Sequence, residues 1–102
     1  MGTVEIHARA RADLDDIWDY IAQRNLTAAI RFQEAARRTF DLIAAFPRGG
    51  TLRPIEGRPD LDGMRIWPIP RFRKYVVFYN EIAGGARVMR ILHGARDIPR
   101  TI

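Results

Sequence analysis

The run Lys74-Tyr75-Val76-Val77-Phe78-Tyr79 sets the architecture of this 102-residue chain. β-Branched and aromatic residues follow one another after a single charge, as in a central strand covered on at least one face. On its C-terminal side, Asn80 to Gly85 reads as a loop, and Arg87-Val88-Met89-Arg90-Ile91-Leu92-His93 as the last strand. On its N-terminal side, Met64-Arg65-Ile66-Trp67 is a third strand, separated from the first by a turn through Pro68, Pro70 and Arg71. Three strands in succession, joined by short connections, predict an antiparallel meander.

The first half of the chain reads differently. Val4-Glu5-Ile6-His7 alternates apolar and polar residues and predicts a short strand. Leu14, Ile17, Trp18 and Ile21 then recur at helical spacing, predicting a helix from about Ala10 to Arg24 with one apolar stripe. Asp13, Asp15 and Asp16 lie in its early turns, where negative charge complements the helix dipole. No Ser or Thr offers an N-cap there. Asn25 or Thr27 can cap a second helix running to Phe46, with Phe32, Ala36, Phe40 and Ile43 on its buried face. Pro47 stops that helix and Gly49-Gly50 releases the chain. Residues 47–63, rich in proline and glycine, read as loop. The expected order is β-α-α-β-β-β. A helical hairpin must bury its stripe on the meander, giving a two-layer α+β fold in a single domain over residues 1–102.

Composition narrows the function. The chain has no cysteine, so disulfides, thiol catalysis and cysteine-held zinc are excluded. Apolar stretches are too short to span a bilayer, and no leader-like segment opens the sequence; a soluble, cytoplasmic protein is expected. The net charge of +5 is uneven. Residues 1–62 hold nine arginines against ten acids, whereas residues 63–102 hold seven arginines and Lys74 against Glu81 and Asp97. A basic half of this kind suits an acidic partner, either nucleic acid or an acidic protein segment. Arginine biased by genomic base composition is the plain alternative.

Few residues suggest chemistry of their own. His93 is of a residue type that can serve as a general base, but no acid or nucleophile is paired with it in sequence and His7 is remote, so it reads as a structural histidine. Two histidines without matched spacing, and helix-face aspartates, do not make a metal site. No catalytic residue, metal or cofactor is expected. Trp67, Phe72, Tyr75 and Tyr79 alternate with Arg65, Arg71, Arg73 and Lys74. Such aromatics can stack bases, receive an amphipathic helix, or divide between core and solvated rim.

Four segments, in order over nearly the whole chain, resemble the ParE branch of the ParE/RelE toxin superfamily. They are Ala12-Asp13-Leu14-Asp15-Asp16-Ile17-Trp18-Asp19-Tyr20-Ile21, Ala44-Ala45-Phe46-Pro47-Arg48-Gly49-Gly50, Lys74 to Tyr79, and Arg90-Ile91-Leu92-His93-Gly94-Ala95-Arg96-Asp97. The resemblance implies a RelE-like fold and the toxin half of a type II toxin–antitoxin pair. It implies a ParD-like antitoxin as partner, with Trp67, Phe72, Tyr75 and Tyr79 as candidate antitoxin contacts. DNA gyrase is the expected target, with Arg65, Arg73, Arg90, His93 and Arg96 as candidate target or phosphate contacts. The alternative is a RelE-like, ribosome-dependent mRNA endoribonuclease. Ribonucleases of that branch carry an arginine after the tyrosine that matches Tyr75, and a tyrosine near the C-terminus. Here the first position is Val76 and no tyrosine follows Arg96, which favours a protein that acts by binding.

Overall fold

In the computed structural model, residues 2–53, 57–59 and 63–94 are described. Strand β1 (Thr3–Ile6) leads directly into helix α1 (Ala8–Ala22), and helix α2 (Leu26–Ala45) follows after a short joint. Next come β2 (Thr51–Leu52), β3 (Met64–Ile69), β4 (Phe72–Ile82) and β5 (Gly85–His93). The strands form one sheet in the order β1-β5-β4-β3-β2. Its centre is the expected antiparallel meander, β3-β4-β5. β1 extends it on one side, parallel to β5 with Val4 opposite Ala86. This position needs the chain to cross the sheet through α1 and α2, as a parallel pairing does.

The helix ends follow local chemistry. α1 begins two residues before the expected Ala10, because the His7 ring takes the capping role that Ser or Thr would have filled. Its Nδ1 accepts from the Arg9 amide at 3.1 Å. Asn25 caps α2 as expected, its Oδ1 accepting from the Ala28 amide at 3.0 Å. Ala29, Phe32, Ala36, Thr39, Phe40 and Ile43 form the buried side of α2. The Thr39 hydroxyl, within this apolar face, donates to the Ala35 carbonyl at 2.8 Å and so is not left unsatisfied.

Strand boundaries also depart from the sequence reading. β4 runs on to Ile82, so the expected loop from Asn80 shrinks to the turn Ala83-Gly84, with Gly84 at φ 79°. The region read as loop after Pro47 contains β2, an edge strand of two residues paired with Arg65 and Ile66. β3 continues through Pro68 to Ile69, beyond the two-residue span of β2, and its register slips at Pro68/Ile69. Proline is tolerated there because an edge position beside an irregularity loses no ladder bond.

The two faces of the sheet differ. Val77, Tyr79, Val88, Ile91 and Ile69 join the helices in the main core, with Leu14, Ile17 and Ile21 of α1 packed against it. Val76, Phe78, Leu92 and Met64 form a second buried cluster. The alternation of Val76 and Phe78 with Val77 and Tyr79 is strand geometry, and it explains why the run reads as continuously apolar: both faces are buried.

Candidate functional site

β1 ends at Ile6, and the His7 amide donates to the Val88 carbonyl at 2.9 Å as the last bond of that edge. Beyond it, β5 has an open edge, and α1 lies alongside. Asp13 closes the gap. One of its oxygens accepts from the Ile91 amide at 2.9 Å and from Arg90 Nε at 2.7 Å, and the other accepts from Arg90 Nη2 at 2.9 Å. Both side chains are largely buried, 18% and 15% exposed. A two-pronged arginine–carboxylate pair that also satisfies a strand amide is geometrically fixed. Asp13 stands four residues before Ile17, so the helical period had already placed it on the apolar face of α1. A carboxylate there needs a partner, and that was the signal available in the sequence.

This anchor forms one wall of a cleft of about 390 Å³ between α1 and the adjoining ends of β4 and β5. Ile17, Asp16 and Tyr20 line the helix side, and Lys74, Tyr75 and His93 the sheet side. Tyr75 is held edge-on between the Phe32 ring, 5.7 Å away, and the His93 ring, 6.0 Å away. The Lys74 carbonyl accepts from the Gly94 amide at 2.8 Å, which fixes the end of β5 against the start of β4. The cleft thus presents a lysine, an aspartate, two phenols and an imidazole around an aliphatic base. It suits a polar segment of another molecule carrying both charge and flat apolar surface.

Of the candidate contact residues, Tyr75, Arg90 and His93 meet at this cleft. Arg90 lines it with two nitrogens committed to Asp13, as a strut of the wall. Arg73 is exposed on the neighbouring stretch of β4. Arg65 lies on the other side of the sheet centre, donating to the Gly50 carbonyl at 2.8 Å and to the Arg48 carbonyl at 3.2 Å, and so fastens the turn after α2. Arg96 lies outside the described residues.

The aromatic candidates divide in the same way. Phe72 is half-buried, edge-on to Phe32 at 5.4 Å. Trp67 is half-buried with its ring over Gly49, where a Cβ would come within 2.8 Å. Tyr79, taken from sequence as a surface contact, is fully buried. Its hydroxyl donates to the Pro47 carbonyl and accepts from the Gly50 amide, both at 2.9 Å. Burial pushes its phenol above the ordinary value of 10.0, opposed by the Gly50 hydrogen bond and by Arg65. Tyr79 therefore holds the turn and is withdrawn from any docking surface. Val76, at the position where the ribonucleases carry an arginine, is 6% exposed and packs with Met64, Phe78 and Leu92.

Among the described residues, no three His, Cys, Asp or Glu side chains converge as metal ligands, and no helix is long and apolar enough to cross a membrane.

A helical hairpin on one face of a five-stranded mixed sheet, with a mixed-charge cleft at the end of its last strand, defines a small α+β protein of the RelE-like fold. Residues 4–98 match the family described as the ParE toxin of the type II toxin-antitoxin system, parDE, and the chain belongs to that family. It also resembles a structure of the chromosomal ParDE TA system from P. aeruginosa, with TM-score 0.74 and 19% identity over 91% of this chain and 96% of that one. At that identity the likeness speaks for the fold. No curated protein matches the chain.

Proposed function

We propose that this chain is a toxin that acts by binding and poisoning DNA gyrase, without a catalytic step of its own, and that a ParD-like antitoxin holds it inactive. Val76 carries the reading. Ribonuclease chemistry needs proton-transfer groups and cations around the scissile phosphate, and at this position the side chain is aliphatic and buried in the outer cluster. Commitment of Arg90 to Asp13 points the same way, because that arginine would have to abandon a carboxylate to grip a phosphate. Family membership supports the pairing with an antitoxin.

Induced expression in a bacterium, read in parallel for DNA-damage response and for translation, tests this. The expected result is growth arrest with an early DNA-damage response and intact messages, relieved by co-expression of a ParD-like partner. Codon-positioned cuts in translated messages as the first event would replace this reading with the ribonuclease one.

A further inference from the structure

The turn between β3 and β4 places an arginine where the backbone favours glycine. Pro70 and Arg71 link Ile69 to Phe72, and Arg71 takes φ 71°, in the left-handed region. The comparable turn between β4 and β5 uses Gly84 at φ 79°. An L side chain is disfavoured there by its own Cβ. Arg71 is exposed and makes no ion pair or side-chain hydrogen bond among the described residues, so no folding contact offsets the strain. Residues kept in strained backbone point to function.

Two more cations follow it. Arg73 and Lys74, at the start of β4, are exposed and equally without an acidic partner among the described residues. Lys74 is where this basic run reaches the cleft between α1 and the ends of β4 and β5. Across the cleft stands Tyr20, 51% exposed, with the Arg24 guanidinium 4.6 Å from its ring centroid. Asp16 completes that wall. It is exposed and, unlike Asp13, pairs with no cation among the described residues. Cations therefore lie along the hairpin, whereas a carboxylate and flat rings line the cleft beside it.

We propose that this surface binds single-stranded DNA, with phosphates on Arg71, Arg73 and Lys74 and one unstacked base, cytosine in preference to thymine, in the cleft. Cations that follow a backbone beside aromatic rings are the means by which proteins hold single strands. The Asp16 carboxylate repels a phosphate but accepts a hydrogen bond from the N4 amino group of cytosine. Thymine presents a carbonyl oxygen at the same position and is repelled. The same carboxylate disfavours an acidic peptide, which would bring further negative charge against Asp16. A nucleotide keeps its charge and its flat base apart, as the hairpin and the cleft do.

The inference rests on the reading of this chain as a gyrase poison, and adds the DNA held by that enzyme as a second contact. Its test contains no gyrase. A toxin that inhibits gyrase without binding the oligonucleotide sinks the inference alone, and one that binds the oligonucleotide without affecting gyrase sinks the other reading alone.

Fluorescence anisotropy of the full chain with labelled oligonucleotides of about 12 nucleotides, within the span a small domain covers, provides the test at neutral pH. The probes are oligo(dC), oligo(dT), the cytosine oligomer as RNA, and a DNA duplex of equal length. Oligo(dC) should bind about fivefold or more tightly than oligo(dT), the lower end for one base-specific contact. Asp16→Ala should bring the two to equal affinity without weakening oligo(dT). Arg71→Gly/Arg73→Ala/Lys74→Ala should weaken oligo(dC) about tenfold or more and flatten the slope of log affinity against log salt by about 2, the change for three lost contacts to a single strand. Thermal midpoints of the variants control for folding, and Arg71→Gly alone should leave the midpoint unchanged or higher. Equal affinity of the parent for oligo(dC) and oligo(dT), an unchanged salt slope in the triple variant, tighter binding of the RNA or the duplex, or displacement of oligo(dC) by oligoglutamate of the same charge would each overturn the inference.

Discussion

Tyr79 and Asp13 show how single side chains join distant parts of this sequence. The Tyr79 hydroxyl bridges Pro47 and Gly50 across the turn that follows α2, with a Cβ at Gly50 excluded by that same hydroxyl. Tyr79→Phe should cost about 1–3 kcal/mol, the range for leaving buried polar groups without partners, measured by urea unfolding; a loss well under that range would show the turn to be held by Arg65 alone. The raised pKa adds a pH signature. The folded protein holds the phenolic proton more tightly than the unfolded chain, so this contribution is complete below the ordinary value of 10.0. It declines as pH rises past that value and through the folded one. Relative to Tyr79→Phe, the parent should therefore lose stability in strongly alkaline solution; parallel pH profiles would contradict the burial argument. Asp13→Ala removes the two-pronged carboxylate from Arg90 and the acceptor of the Ile91 amide, both largely enclosed, and should cost about 3–5 kcal/mol. Equal unfolding midpoints for variant and parent would show the anchor to be dispensable. The sequence placed Tyr79 on a strong strand but not on a face, because alternation gives two faces and only the tertiary fold says what covers each. Arg90 was legible as a charged strand residue, while its partner lies 77 positions away.

Elements with a strong period were readable; those defined by pairing were not. The helical hairpin follows from apolar spacing and from Asn25, and the meander from three β-rich runs. β2 escaped because two residues carry no period, and its existence depends on Arg65 and Ile66 lying opposite. The partner of β1 was equally hidden, since a parallel contact between residues about 80 positions apart leaves no local trace. Gly85 is the residue that permits it: a Cβ there would overlap the Thr3 carbonyl. Gly85→Ala should pull β1 from β5 and expose the amides of Thr3 and His7, which donate to Gly84 and Val88. Hydrogen exchange reads this directly. Retained protection of those two amides would mean that the backbone relaxes without loss of the pairing.

Over the whole molecule, folding redistributes the charge that looked so uneven along the chain. Arg87 pairs with Glu5 at 3.0 Å and Arg90 with Asp13, so acids of the first half neutralise arginines of the second. Arg48 and Glu81 make the reverse exchange, an exposed pair of little energetic weight. Basic side chains without partners among the described residues gather instead on the β3–β4 hairpin, at Arg71, Arg73 and Lys74, and on α2. Segregation in sequence thus overstated the charge contrast, because acids of the first half neutralise part of the second half's arginine. The cleft at the end of β5 was legible through Tyr75 and His93, and illegible through α1, which contributes its opposite wall. On the proposed reading, a protein organised in this way acts by what it binds. The most direct measurement is a supercoiling assay with purified gyrase and purified toxin, run beside a translation reaction carrying labelled mRNA. The account predicts loss of supercoiling or accumulation of cleaved DNA, with the message intact. Undisturbed gyrase at toxin levels that arrest growth, together with cleaved mRNA, would contradict it.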